Sequence, residues 1–213
     1  LEIERNNNFI SQWDDTKKLI NIFGIAAAMS CLHSHDIIHR SLKPANIYLD
    51  EVLTPKIGDF GLLTRFPISE NITHQSISGI KATPVYSAPE ILQWNKYSKS
   101  SDVYAFAFII FELLSNEVPF NEIANKNLIF DEIVIKNNRP KFNKNISECY
   151  CKLIEKCWSQ IPEDRPTFDD IVNELKVNSE FITENIDKDS YYKYINFIEN
   201  HINSENIQLN GKI

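Results

Sequence analysis

The chain has 213 residues, of which 43% are hydrophobic and 24% charged, a composition typical of one ordinary globular domain. Its formal net charge of −7, with no cluster of Lys and Arg, argues against a nucleic-acid-binding surface. The longest apolar run, 103–114, contains Glu112 and is shorter than the roughly 20 residues of a membrane-spanning helix. We therefore expect a protein that binds neither nucleic acid nor membranes.

Cysteine usage and the first residues bear on the cellular setting. The few cysteines, with no secretory segment before them, predict reduced thiols and a cytoplasmic location. A zinc site is disfavoured because Cys149 and Cys151 cannot share one helical face and no suitably spaced His follows. The first residues include neither a signal peptide nor a Met, and we expect the chain to be a fragment.

The first predicted element is a long amphipathic helix. Apolar residues recur at helical spacing from Asp14 to about Ser34. His33 and His35 lie at its carboxyl end, where histidine interacts favourably with the helix dipole. We expect them to cap the helix or to lie on the surface, in preference to binding a metal.

A small β-hairpin is predicted next. Two short apolar segments, 47–49 and 55–57, are separated by a turn that begins at Asp50. Since the outer ends of a hairpin meet, Asn46 and Asp59 are predicted to lie side by side.

The remaining segments are a long loop and three helices. The segment from 62 to about 87 lacks periodicity, and a loop of that length is usually functional or disordered. A buried helix is predicted to start at 100–102. Amphipathic helices are predicted at 148–158 and 168–175, the second opened by Thr167.

Beyond Lys176 the composition shifts to Asn, Ile and Glu, and we predict a C-terminal helical tail over 177–213. Its apolar stripe docks on its own domain or recruits a partner helix, and the first alternative is favoured. The stripe consists of Tyr191, Tyr194, Ile195, Ile198 and Ile202.

Three motifs occur in a fixed order along the chain: 39–46 (HRSLKPAN), 59–61 (DFG) and 88–90 (APE). Their order and spacing resemble the catalytic loop, metal-binding triplet and activation-segment end of eukaryotic protein kinases. The resemblance covers 1–176 and points to the tyrosine-kinase-like serine/threonine group. It implies a mainly α fold, a kinase C-terminal lobe with a short β-hairpin at the catalytic and metal site, and no N-terminal lobe.

The resemblance also implies roles for individual residues. Asn46 and Asp59 would bind Mg²⁺, which prefers oxygen ligands. The nucleotide would be contacted by Lys43, Tyr48 and Asp59. Lys43 would neutralise the γ-phosphate, a role typical of serine/threonine kinases. Thr83 would contact the catalytic loop. An alternative stays open, in which Asn46 and Asp59 only hold the loops together through hydrogen bonds.

Two structural anchors of the family have counterparts in the chain. By resemblance, Asp102 holds the backbone of the catalytic loop. Arg165 pairs with Glu90 and so ties the activation segment to the helical core. Both contacts are predictions about the folded chain.

Ser41 departs from the family pattern. The family has Asp at this position, where it orients the substrate hydroxyl and accepts its proton. A serine hydroxyl is neither charged nor basic near neutral pH, so its presence should lower the rate on the order of 10² to 10⁴-fold. Ser41, Lys43 and Asn46 are the candidate catalytic residues.

Nucleotide binding is expected of a full-length parent, with Mg²⁺ and ATP as cofactors. The five glycines of the chain form no G-x-G-x-x-G loop, so we expect no tight binding by this fragment. We favour a pseudokinase that acts in binding or signalling, with an unknown protein partner. The alternatives are a serine/threonine kinase with residual activity and a truncated product without function.

Overall fold

The structure is a computed structural model that describes residues 13–59, 64–65, 84–123, 125, 128–144 and 146–210. For 64–65 and 202–210 it describes the backbone alone. Across these residues the chain is mainly helical, and none of the described helices is long and apolar enough to cross a membrane. Most of the predicted long loop, with Phe60, Gly61 and Thr83, lies outside the described residues.

The first helix, α1 (Asp15–Ser34), begins and ends where the sequence predicts. Asp14 caps its start, because its carboxylate accepts a hydrogen bond from the backbone N–H of Lys17 at 2.8 Å. Apolar side chains of α1, among them Ile22 and Met29, are fully buried. The helix therefore forms one wall of the core.

Two small antiparallel strand pairs follow α1. The strands β1 (Ile37–Ile38) and β4 (Thr64–Arg65) form one pair. The other pair is the hairpin of β2 (Ile47–Leu49) and β3 (Pro55–Ile57).

The register of this hairpin determines which residues meet at its open end. Ile47 is paired with Ile57, and the backbone N–H of Gly58 donates a hydrogen bond to the carbonyl of Asn46 at 2.9 Å. The residue before β2 is thus joined to the residue after β3. Asn46 and Asp59 consequently lie next to each other.

Two helices come after the long loop. The short helix α2 (Pro89–Trp94) precedes α3 (Lys99–Ser115), which is buried over most of its length. The prediction that α3 starts at 100–102 is wrong. Its cap is Ser98, because the hydroxyls of Ser98 and Ser101 each accept a hydrogen bond from the other's backbone N–H.

The next two α-helices each pack on an earlier helix of the core. α4 (Glu148–Cys157) contacts α3, and α5 (Phe168–Val177) contacts α1. Thr167 caps α5 in a reciprocal pair with Asp170, as its sequence predicts.

The last helix, α6 (Lys188–Asn210), packs on α1. Tyr191 and Ile195 are buried in the common core, and the hydroxyl of Tyr191 donates a hydrogen bond to the carbonyl of Leu175 at 3.0 Å. The tail thus docks on its own domain, which is the favoured of the two predictions. The domain boundary at residue 176 stays a prediction.

Candidate active site

The loop that carries Ser41 is held by a buried carboxylate of α3. Asp102, which is 2% exposed, accepts hydrogen bonds from the backbone N–H groups of His39 at 2.9 Å and of Arg40 at 3.0 Å. Hydrogen bonds to a charged acceptor are stronger than neutral ones. The prediction that Asp102 holds this loop is confirmed.

His33 is a second partner of the same carboxylate. Its Nε2 lies 2.9 Å from Oδ2 of Asp102, and the side chain is buried. The prediction of a capping or surface role is therefore wrong for His33. His33 continues the buried stripe of Ala26 and Met29 at helical spacing, and this signal could have placed it in the core. His35 does lie at the exposed end of α1, with Nδ1 2.8 Å from the carbonyl of Cys31.

His39 links the loop to the segment after the hairpin. Its Nδ1 accepts a hydrogen bond from the backbone N–H of Ser41 at 3.3 Å, so Nε2 carries the proton. Nε2 lies 3.0 Å from the carbonyl oxygen of Gly58, which accepts that proton in a hydrogen bond. This fully buried ring fixes the position of Ser41 relative to Asp59.

Two residues at the site have left-handed backbone conformations. Arg40 has φ 67° and Asp59 has φ 60°, and a residue with a side chain adopts such a φ only where its surroundings impose it. The guanidinium of Arg40 lies 5.1 Å from the centre of the Tyr97 ring. Burial lowers the pKa of Arg40, and the nearby Tyr97 and Asp102 oppose that shift.

Ser41, Asn46 and Asp59 form one hydrogen-bonded cluster. The amide Nδ2 of Asn46 donates to the carbonyl of Ser41 at 2.7 Å, to its Oγ at 3.0 Å and to Oδ2 of Asp59 at 3.0 Å. The hydroxyl of Ser41 lies 3.5 Å from the same Oδ2. The side chain of Asn46 is buried, whereas Asp59 is exposed. The structure thus brings three of the predicted site residues together.

Lys43 and Tyr48 lie beside this cluster. Lys43 has an extended backbone before the short helical turn Pro44–Asn46. The backbone N–H of Asn46 donates a hydrogen bond to the carbonyl of Lys43 at 3.0 Å, which places Lys43 beside the cluster. Tyr48 lies on the hairpin with 59% of its surface exposed. Its ring covers Gly58 so closely that a Cβ there would be 2.5 Å from a ring carbon and would displace the ring.

The donor atoms of the cluster suit Mg²⁺. Nδ2 of Asn46 donates to Ser41 and Asp59, and its Oδ1 is an acceptor oxygen of the kind that Mg²⁺ takes as a ligand. Magnesium takes one or two protein oxygen ligands and completes its shell with phosphate and water. Among the described residues no group of three or more His, Cys, Asp or Glu could hold a metal ion. The residues present therefore fit a site shared with a phosphate ligand.

An ion pair anchors the first turn of α2. Arg165 donates to Glu90 through Nη1 at 2.7 Å and through Nη2 at 2.9 Å, and both side chains are buried. The guanidinium also donates to the carbonyls of Ser159 and Ser100. The predicted pair is confirmed, with bidentate geometry.

Sequence reasoning missed a contact between the turn before α2 and the buried helix α3. The hydroxyl of Tyr86 donates a hydrogen bond to Oε1 of Glu112 at 2.5 Å. Burial raises the pKa of both groups above their ordinary values. Glu112 was visible as the charge within the apolar run, but no local pattern links it to Tyr86, which lies 26 positions away.

Comparisons with known proteins agree with this geometry. The family model described as protein kinase domain matches residues 3–175. The chain belongs to the protein kinase family. It is similar to the RGS domain-containing serine/threonine-protein kinase A of Dictyostelium discoideum, with 37% identity over 176 residues, 83% of the chain and 14% of that protein. It is also similar to the dual specificity protein kinase shkC of the same organism, with 32% identity over 152 residues, 70% of the chain and 30% of that protein.

The kinase match and the structure cover different extents of the chain. The match ends at residue 175, within α5, and α6 lies beyond it. The chain spans less than a third of the length of either relative. Activities of the whole relatives are therefore properties of much longer proteins.

Proposed function

We propose that this chain is the C-terminal lobe of a pseudokinase of the tyrosine-kinase-like serine/threonine group, which acts in binding or signalling in place of efficient phosphoryl transfer. The supporting observation is Ser41, whose hydroxyl lies 3.0 Å from Nδ2 of Asn46 and 3.5 Å from Oδ2 of Asp59. This serine occupies the position at which the family resemblance implies an aspartate. Its partner is a protein, and it works in the cytoplasm.

The chemistry of Ser41 supports this proposal. A general base must accept a proton near neutral pH, and an alcohol does not do so. The hydroxyl of Ser41 is also an acceptor for the amide of Asn46. Substrate hydroxyl groups would meet another neutral hydroxyl at this point in place of a carboxylate.

The cluster also supports a role for Mg²⁺ and a nucleotide. Asn46 and Asp59 would hold the metal ion, which would neutralise charge on the phosphates. Lys43 would contact the phosphates, and Tyr48 would contact the nucleotide from the hairpin. The chain has no glycine-rich phosphate loop, and Tyr48 is 59% exposed. We expect Mg²⁺-ATP to bind the 213-residue chain weakly, and a micromolar dissociation constant by calorimetric titration would contradict this.

A second candidate function is a serine/threonine kinase with residual activity. The observation that favours it is the contact of Asn46 Nδ2 with Asp59 Oδ2 at 3.0 Å, which keeps the proposed metal ligands together. With Lys43 present, positioning and charge neutralisation could proceed without the base. Transfer would then be slow, and its rate separates this candidate from the first.

The test uses a chimera in which the N-terminal lobe of one of the similar kinases precedes this chain. It adds the missing carboxylate at residue 41. Ser41→Asp should raise phosphate transfer to a generic serine/threonine peptide by roughly 10² to 10⁴-fold, the contribution of a positioned base. Ser41→Asn, which has similar size and no charge, is the control and should not raise it. In the 213-residue chain neither substitution should change the rate of phosphate transfer.

The outcomes separate the candidates. A chimera that binds ATP and transfers phosphate only after Ser41→Asp supports the pseudokinase. Measurable transfer by the unsubstituted chimera, lost on Asp59→Asn, supports residual activity. Equal rates for Ser41 and Ser41→Asp, with ATP shown to bind, would contradict the account given for Ser41.

A further inference from the structure

The helix α6 lies outside the kinase match yet is built into the core of the chain. The match ends at residue 175, whereas α6 spans Lys188–Asn210. Tyr191 is fully buried, and its ring meets that of Phe23 edge-on at 5.9 Å. Part of the interior of this protein is therefore supplied by a segment beyond the residues that the family model matches.

Two polar contacts hold α6 against α1 and α5. The backbone N–H of Asp187, just before α6, donates a hydrogen bond to the hydroxyl of Thr16 at 2.9 Å. One turn beyond the buried Ile195, Glu199 forms an ion pair with Lys176 at the end of α5. The helix is held at both points, so its side chains meet α1 in one register.

A side chain of α6 and a residue of the hairpin approach the same point on α1. Gly24 faces Tyr194 and Pro55, and a Cβ at residue 24 would lie against the hydroxyl of Tyr194 and 2.7 Å from Cγ of Pro55. Because Gly24 has no side chain, helix and hairpin approach each other across α1. The ring of Tyr194 also packs edge-on against Phe23, with 6.3 Å between ring centres.

Pro55 connects this contact to the candidate active site. It is the first residue of β3 and is paired with Leu49 of β2. β2 follows Asn46 directly and contains Tyr48, and β3 ends two residues before Asp59. A shift of Pro55 would move both strands and the residues at their open end.

Two further contacts hold the same, turn end of the hairpin. The ammonium of Lys17 donates to the carbonyl of Val52 at 2.9 Å, and Nδ2 of Asn21 donates to the carbonyl of Leu53 at 2.8 Å. Both of these donors belong to α1. Tyr194 comes from a different helix and approaches the point on α1, at Gly24, where the start of strand β3 also lies.

The phenol of Tyr194 is neutral at physiological pH. Burial, together with the nearby carboxylate of Asp50, raises the pKa of Tyr194 to about 12. The approach of Tyr194 to Gly24 and Pro55 therefore leaves no phenolate charge buried beside the hairpin.

We propose that α6 is an intramolecular support that positions the hairpin bearing Asn46, Tyr48 and Asp59, with Tyr194 as the positioning residue. Gly24 is the complementary feature on α1. The geometric part of this proposal stands without the proposed function. Its consequence for Mg²⁺-nucleotide binding rests on that function.

Hydrogen–deuterium exchange of the 213-residue chain tests the geometric part. Tyr194→Ala should speed exchange in the β2–β3 hairpin about tenfold, including the amide of Gly58, because local opening becomes easier there. Exchange in α3 should not change. Tyr192→Ala is the matched control, since Tyr192 is on the same helix and 43% exposed, and it should leave the hairpin unchanged.

Rescue distinguishes positioning from a general loss of stability. Tyr194→Phe keeps the ring and should restore most of the protection of the hairpin. If Tyr194→Ala lowers the global melting temperature and raises exchange equally in the hairpin and in α3, the side chain is only part of the core and the proposal fails. Unchanged exchange of the hairpin in Tyr194→Ala would overturn it directly.

A nucleotide measurement separates this proposal from the proposed function. In the chimera with a matched N-terminal lobe, Tyr194→Ala should weaken Mg²⁺-nucleotide binding about tenfold, and Tyr192→Ala should not. If neither the unsubstituted chimera nor its variants bind nucleotide while the exchange result holds, the proposed function fails and the positioning role stands. Tight binding that Tyr194→Ala leaves intact would overturn the functional consequence alone.

Discussion

Two groups of residues differ in burial and in partners: the buried frame of Asp102, Glu90 and Arg165, and the front cluster of Ser41, Asn46 and Asp59. Asp102, Glu90 and Arg165 are 2%, 3% and 6% exposed, and each is matched to a specific opposite charge or set of donors. Asp59 is exposed and Ser41 is half-buried. The buried charges cannot be removed singly without leaving a charge or donor unsatisfied. The front cluster can therefore change its chemistry while the frame of the kinase fold persists.

The largest expected effect comes from breaking the buried frame. Arg165→Ala leaves Glu90 charged in the core and removes the bonds to the carbonyls of Ser159 and Ser100. We expect a loss of about 3 to 5 kcal/mol in the free energy of unfolding, measured by urea denaturation.

A double-mutant cycle checks that this loss belongs to the pair. Once Arg165 is absent, Glu90→Ala should cost little more, because the shared interaction is already lost. The exposed pair of Lys152 and Glu148 is the control, and Lys152→Ala should have little effect. Simple additivity of the Arg165 and Glu90 losses would contradict the interpretation of a coupled pair.

An intermediate effect is expected when a charge is added to the front cluster. Ser41→Asp places a second carboxylate near Asp59, whose Oδ2 is 3.5 Å from the present hydroxyl. Repulsion at this exposed site should cost about 1 kcal/mol at low salt. Mg²⁺ should reverse the loss, because it is attracted to both carboxylates.

Urea unfolding with and without MgCl2 measures this effect. Ser41→Asn is the control of similar size, and its stability should not respond to Mg²⁺ in excess of the response of the unsubstituted chain. Destabilisation by Ser41→Asp that is identical with and without Mg²⁺ would mean that the two carboxylates do not share a metal site.

A third effect, of similar size, is a gain in stability within the frame. Tyr104 is fully buried between the guanidinium groups of Arg139 and Arg165, 5.2 and 5.0 Å from its ring centre. Its hydroxyl has no hydrogen-bond partner among the described residues. Tyr104→Phe removes this unsatisfied group and should raise the free energy of unfolding by about 1 kcal/mol.

A second buried tyrosine supplies a control, because the same substitution should change the stability in the opposite direction. The hydroxyl of Tyr150 donates to the carbonyl of Phe181 at 3.1 Å. Tyr150→Phe should therefore lower the stability by about 1 kcal/mol. Calorimetric melting of both variants gives the comparison, and a loss in Tyr104→Phe would show that its hydroxyl is satisfied.

Local sequence signals predicted the elements that local physics controls. The bounds of α1 follow from its cap and its 3.6-residue periodicity, and the hairpin segments 47–49 and 55–57 follow from short apolar runs around a turn. The start of α3 was misplaced because several adjacent serines and Asp102 can each serve as a cap. Sequence alone cannot decide which of them finds a reciprocal partner.

The sequence by itself determined the kinase family, the helical core and the adjacency of Asn46 and Asp59, because these depend on motif order and short-range spacing. Only the tertiary structure decided the rest, since contacts between distant segments leave no periodic signal. The buried bond of His33 to Asp102 spans 69 positions. The approach of Tyr194 and Pro55 to Gly24 needs three segments that meet only in the folded chain.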